Sequence, residues 1–195
     1  IPRRRPNGMN RYGVILDQVG MEAALDGLVR AYLQPLAGML FPELIATGDA
    51  DEHYAFTIKY EPGGDMELKP HRDASVATLN LCLGYPELEG GAVEFFDSGG
   101  SGYARLPKGN ASAGSGRIIF RPGMAALHRG QHKHQALQLE SGRRTNLVMW
   151  LFAEHDVVRI LPYTEAEQLT PAQRWGASNA GGSGGAQPNW VTIDL

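Results

Sequence analysis

Apolar residues recur at helical spacing over 20–40, where Met21, Ala24, Leu25, Leu28, Tyr32, Leu36 and Leu40 share one face. The pattern predicts an amphipathic helix. Pro35 is expected to kink or split it, because proline lacks an N–H and its ring collides with the preceding turn. From Tyr54 the period shortens to that of strands. AFTIKY (55–60) alternates and carries β-branched side chains, and VATLNLCL (76–83), AVEFF (92–96), RIIF (117–120) and TNLVMWLF (145–152) follow it. The turn signals EPGGD, LEGG and RPG separate these runs.

The remaining stretches are read by composition. IPRRRPNG (1–8) is basic and rich in Pro and Gly, and reads as a solvated arm. Residues 97–116 are rich in Gly, Ser and Ala, as expected of a mobile loop joining two strands. TPAQRW (170–175) starts a short helix, GASNAGGSGGAQPN is flexible, and WVTIDL (190–195) is apolar enough to dock on the body. These readings give one domain over 1–195. An N-terminal arm and helices (1–53) pack on a mainly β core of short antiparallel strands (54–155), followed by a C-terminal extension (156–195). A sandwich or jelly roll with flanking helices fits best.

Composition narrows the function. At 195 residues, 43% hydrophobic and 20% charged, the chain is ordinary for a globular domain and is neither collagen-like nor disordered throughout. A net charge of −3 gives no sign of the basic surface that nucleic acid attracts, and no apolar run is long enough for a membrane helix. No nucleic-acid or membrane partner is expected. The chain opens at Ile1 and is expected to be a processed or trimmed piece, so the lack of a leader says nothing about compartment. The lone Cys82 excludes an internal disulfide and a cysteine-based zinc site.

The chemistry lies in the histidines. His71 and Asp73 stand at i and i+2, so in extended backbone they face one side and suit a divalent metal. LHRGQHKH (127–134) offers a third ligand. Two His and one carboxylate leave positions open and suit non-haem Fe(II) and oxygen chemistry, while a zinc hydrolase could use the same set. Ten residues beyond His134, Arg144 could hold a carboxylate bidentately.

The region from Tyr54 to Phe152 resembles the iron- and 2-oxoglutarate-dependent oxygenase domain of prolyl 4-hydroxylase alpha subunits and procollagen lysyl hydroxylases. KYEPGGDMELKPHRD resembles the prolyl-hydroxylase stretch ending in His-x-Asp, HRDASVATLNLCL a lysyl-hydroxylase segment, and LEGGAVEFF the Glu-Gly-Gly strand of both. In that family the distal His is followed by Gly at eight residues and by Lys or Arg at ten. His134, Gly142 and Arg144 meet this spacing, whereas His128 and His132 do not, and those two are left without a required role at the mouth of the site or on its surface. The resemblance implies a double-stranded β-helix with His71, Asp73 and His134 as iron ligands. It implies Arg144, Tyr60 and Asn80 around 2-oxoglutarate, although two extra residues separate Tyr60 from His71. It further implies Fe(II) and O2, with ascorbate as an accessory reductant, and succinate and CO2 as co-products. The closest resemblances point to lysyl or prolyl side chains of a peptide or protein. A small-molecule oxygenase and a non-catalytic metal-binding β-barrel are the alternatives. The loop over 97–116 would act as a lid on such a peptide through Tyr103, Arg105 and Lys108.

Overall fold

A computed structural model describes residues 5–42, 52–85, 87–96, 111–112, 115–130, 132–152 and 190–194. Its centre is a six-stranded sheet. In spatial order this runs β1 (Gly13–Ile15), β2 (Glu52–Tyr60), β12 (Arg144–Phe152), β4 (Ala77–Gly84), β9 (Met124–Arg129) and β13 (Trp190–Asp194), each antiparallel to its neighbours. A five-stranded sheet faces it, in the order β3 (Leu68–His71), β10 (His134–Ala136), β6 (Val93–Phe96), β8 (Ser115–Ile118) and β7 (Ala111–Ser112). A short ribbon of β5 (Leu88–Gly90) and β11 (Leu139–Gly142) completes the β structure. Two facing antiparallel sheets carrying helices on one outer face make the jelly roll that the strand pattern predicted.

The central strands read as nearly unbroken apolar runs because both of their faces are covered. On β12, Leu147, Met149 and Leu151 face the helices, joined by Ala55, Ala77, Leu79 and Leu127 from the neighbouring strands. The alternate residues Val148, Trp150 and Phe152 point inward against Phe56, Ile58 and Tyr60. Phe56 and Trp150 meet edge-on with centroids 5.3 Å apart. This period-two division sends Arg144 and Asn146 of β12 and Thr78 and Asn80 of β4 to the interior side of the sheet.

The helix over 22–40, expected to kink or split at Pro35, runs without a gap but changes its winding just before the proline. It comprises α1 (Glu22–Leu28), a single wide π-turn (Val29–Leu33) and α2 (Gln34–Leu40). In the wide turn the Gln34 N–H donates to Val29 O. Widening the turn accommodates the proline ring and its missing donor within the first turn of α2. The buried stripe consequently runs through Leu25, Val29, Leu33 and Ala37, and Tyr32 is left 64% exposed.

The N-terminal segment is no free arm from Pro6 onward. Pro6 is buried, its carbonyl accepts from the Tyr54 hydroxyl (2.8 Å), and β1 pairs with β2. At the other end of the chain, β13 pairs with β9. Part of the expected 97–116 loop is strand, since β7 and β8 form a hairpin. Tyr103, Arg105, Lys108 and the 170–175 helix start lie outside the described residues.

Candidate metal centre

Strand pairing assembles the first part of the site. His134 at the start of β10 lies opposite His71 at the end of β3, and their rings are 4.3 Å apart. Asp73 follows two residues after His71. The Nε2 of His71 is 3.5 Å from Asp73 Oδ1, and that of His134 is 3.8 Å from Oδ2. One ligand atom from each of the three residues lies within 4.8 Å of the others, and among the described residues no other such group occurs.

The outer contacts fix the ligands for metal. His71 Nδ1 lies 2.8 Å from the Lys69 carbonyl and His134 Nδ1 lies 2.9 Å from that of His132. Both rings therefore carry their proton on Nδ1 and turn an Nε2 lone pair toward Asp73. Asp73 Oδ2 accepts from the Thr78 hydroxyl (2.7 Å), which contacts Ser75 Oγ at 2.7 Å. The Asp73 N–H donates to Gly130 O (2.9 Å). Only glycine fits at 130, because a Cβ there would lie 1.9 Å from Ser75 O. Burial opposes charge on Asp73, but His134 and His71 prevail and hold its carboxyl below the usual range. Burial lowers His134, whereas in His71 the hydrogen bond and charge of Asp73 overcome burial and raise it. The donor set and its inward lone pairs fit a hard-to-borderline divalent ion with open positions. Thr78→Val keeps the shape and deletes the hydroxyl. It is expected to weaken Mn(II) binding by about tenfold or more in a metal titration; unchanged affinity would mean that the backbone alone holds Asp73.

The metal centre opens on a cavity of about 290 Å³, whose lining includes Tyr60, Asn80, Ala136 and Arg144. Arg144 is 2% exposed and sits opposite Tyr60 in the ladder, with its guanidinium 4.7 Å from the Tyr60 ring centre. Its Nη1 donates to Gly91 O, while its Nε has no hydrogen-bond partner among the described residues. No carboxylate among them pairs with it. A buried guanidinium beside a largely apolar cavity, with no carboxylate partner among the described residues, suits a carboxylate ligand. Arg143, its neighbour in sequence, is exposed and lies over the Tyr85 ring at 3.9 Å. Gly142, at φ 79°, makes the turn into β12, where a Cβ would lie 2.2 Å from Glu87 O. Asn80 lines the same cavity and its Oδ1 accepts from Asn146 Nδ2 (2.5 Å).

Two histidines differ from the expectation of a mouth or surface position. His128 is 1% exposed and its Nε2 stands 3.7 Å from Asp73 Oδ2, while Nδ1 faces the Arg129 carbonyl at 3.0 Å. Burial and the charge of His134 push its pKa down to about 3. His132 is also buried, its Nε2 faces Phe96 O at 3.0 Å, and burial lowers its pKa to about 4. Reading MAALHR as a strand would have put His128 on the inner face with Ala126. Asn7, within the segment read as an arm, and Asn10, just beyond it, also line the cavity and carried no signal.

A family model described as an OGFOD2-like domain matches residues 1–46. The human 2-oxoglutarate and iron-dependent oxygenase domain-containing protein 2 is 40% identical over 154 residues, which are 78% of this chain and 41% of that protein. The human multifunctional procollagen lysine hydroxylase and glycosyltransferase LH3 is 29% identical over 136 residues, 70% of this chain and 17% of that one. This chain therefore spans less than half the length of either relative. Among solved structures, a prolyl 4-hydroxylase from Phytophthora capsici superposes with a TM-score of 0.52 at 16% identity, covering 76% of this chain and 52% of the other, a likeness of fold.

Proposed function

We propose that this chain, an oxygenase domain of the 2-oxoglutarate- and iron-dependent family by its sequence relatives and fold, hydroxylates a lysyl or prolyl side chain of a peptide or protein. The observation that carries the reading is the buried guanidinium of Arg144, without a carboxylate partner among the described residues, on the same cavity as His71, Asp73 and His134. In this reading those three hold Fe(II), and Arg144 pairs with the far carboxylate of 2-oxoglutarate. Bound iron and 2-oxoglutarate supply the oxidising chemistry, which takes O2 and a C–H bond to an alcohol with succinate and CO2 as co-products.

The chain's own residues orient and shield. Thr78 and the Gly130 carbonyl keep Asp73 turned to the metal position. The Lys69 and His132 carbonyls keep the imidazoles in one tautomer. Phe56, Ile58, Val148 and Trp150 wall the cavity with apolar surface, which keeps bulk water from a reactive centre. The cavity lies at the small end of the range for ligand pockets. It suits a short dicarboxylate and the end of one side chain better than a bulky free metabolite. The likeness of HRDASVATLN to lysyl hydroxylases, and of the chain to a procollagen lysine hydroxylase, supports an amino-acid side chain as the acceptor.

The test incubates the protein with Fe(II), 2-oxoglutarate, ascorbate and a library of Lys- and Pro-containing peptides. Succinate and a peptide heavier by one oxygen atom are expected to form in equal amounts. Succinate that no peptide accelerates, together with oxygen transfer to a small acceptor, would favour the small-molecule alternative. No succinate under any condition would favour a binding module.

A further inference from the structure

The segment before β1 crosses the cavity as a built arch. Its first end is tied by the bond from Tyr54 Oη to Pro6 O, and its other end by Asp65, whose Oδ2 accepts from the N–H groups of Arg11 (2.6 Å) and Tyr12 (3.3 Å). Between these anchors Asn7 closes a local turn, its Oδ1 accepting from the N–H of Met9 (2.8 Å) and of Asn10 (2.7 Å). The inner residue, Asn10, is fully buried. Asn7 Nδ2 donates to Asn10 Oδ1 (2.9 Å), and Asn10 Nδ2 donates to the Tyr60 hydroxyl (3.4 Å).

Direction matters in this chain of contacts. An amide that receives on oxygen and gives from nitrogen presents only a donor to Tyr60. The phenol oxygen is occupied as an acceptor, so its one hydrogen remains for a partner inside the cavity. Among the described residues no acceptor takes it. The guanidinium of Arg144 lies beside the same ring. Two donors then converge on one region of the cavity, as a carboxylate requires.

We infer that Asn10 is a positioning residue: oriented by Asn7, it fixes Tyr60 as a hydrogen-bond donor to the carboxylate that Arg144 pairs. The inference rests on the oxygenase reading of the cavity. It differs from a packing role in one respect. Asn10→Asp keeps the shape but offers acceptors to Tyr60, which would turn the phenol hydrogen away from the cavity. Asn10→Ala leaves the Arg144 guanidinium as the donor to the phenol oxygen, a milder change.

The experiment measures the dissociation constant of 2-oxoglutarate by calorimetry on the full chain loaded with redox-inert Mn(II). Asn10→Ala should raise it about three- to tenfold and Asn10→Asp about thirtyfold, the isosteric change being the worse. On a Tyr60→Phe background most of the Asn10→Asp penalty should vanish, since the two residues act through one contact. A penalty of equal size on both backgrounds, or Asn10→Asp tolerated better than Asn10→Ala, overturns the inference. Should Asn10→Asp fail to fold, Asn7→Ala at the half-buried end of the relay provides the test. About a threefold rise is expected there, and no change in both Asn7→Ala and Asn10→Ala overturns the proposal. A wild-type protein that binds no 2-oxoglutarate overturns the oxygenase reading with it. A wild type that binds normally while Asn10→Asp has no effect overturns this inference alone.

Discussion

His134→Ala is expected to abolish iron-dependent turnover and to weaken Mn(II) binding by more than about a hundredfold, beyond what loss of an outer contact costs. His132→Ala should keep both. The two imidazoles are two residues apart, both buried, and face different tasks. His134 turns Nε2 toward Asp73 from a ring whose other nitrogen is held by a backbone carbonyl. That carbonyl belongs to His132 and survives replacement of the His132 side chain. The His132 imidazole itself contacts Phe96 O and packs on Phe95 at 5.0 Å. Its loss should cost about 1–2 kcal/mol of stability, seen as a lower Tm, with the metal site intact. Metal titration and succinate assays on both variants decide the matter. An inactive His132→Ala beside an active His134→Ala would reverse the ligand assignment.

Arg144→Ala is expected to raise KM for 2-oxoglutarate roughly thirty- to a hundredfold, the equivalent of about 2–3 kcal/mol for a lost charge-assisted contact. Arg143→Ala should leave KM within about twofold, as surface substitutions usually do. Arg144 opens β12 with its guanidinium buried beside Tyr60, while Arg143 sits in the turn between β11 and β12 with its guanidinium outside over Tyr85. Arg144→Lys should fall between, since an ammonium retains charge but not the planar fork. Steady-state kinetics at varied 2-oxoglutarate measure the effect, with Tm recorded to exclude unfolding. Equal shifts for Arg143→Ala and Arg144→Ala would remove Arg144 from its proposed role.

What the sequence discloses follows from how much each segment must bury. β12 is covered on both faces and β2 and β4 over most of their length, so AFTIKY, VATLNLCL and TNLVMWLF carry β-branched and aromatic side chains that announce strands. β3 contains Pro70, β9 carries two consecutive alanines (Ala125 and Ala126), and β10 is three residues long. None of them has a signal that local preference can supply, and their pairing comes from the tertiary structure. The His-x-Asp pair was legible because its spacing is local. His128 and Asn10 were not, because their proximity to Asp73 and Tyr60 depends on a strand register and on an arch anchored by Tyr54 and Asp65. At Pro35 a strong local rule is met by a local distortion, the wide turn that divides α1 from α2.

The strand order has a consequence for how the chain must be made. β12 is the seam between β2 and β4, yet it is synthesised after nearly every other described strand. Until Arg144–Phe152 leaves the ribosome, β2 has β1 for company and β4 has only β9, and both expose apolar edges that invite wrong partners. Contacts so distant along the chain make closure slow. The metal ligands, too, can meet only once His134 has been made, sixty-one residues after Asp73.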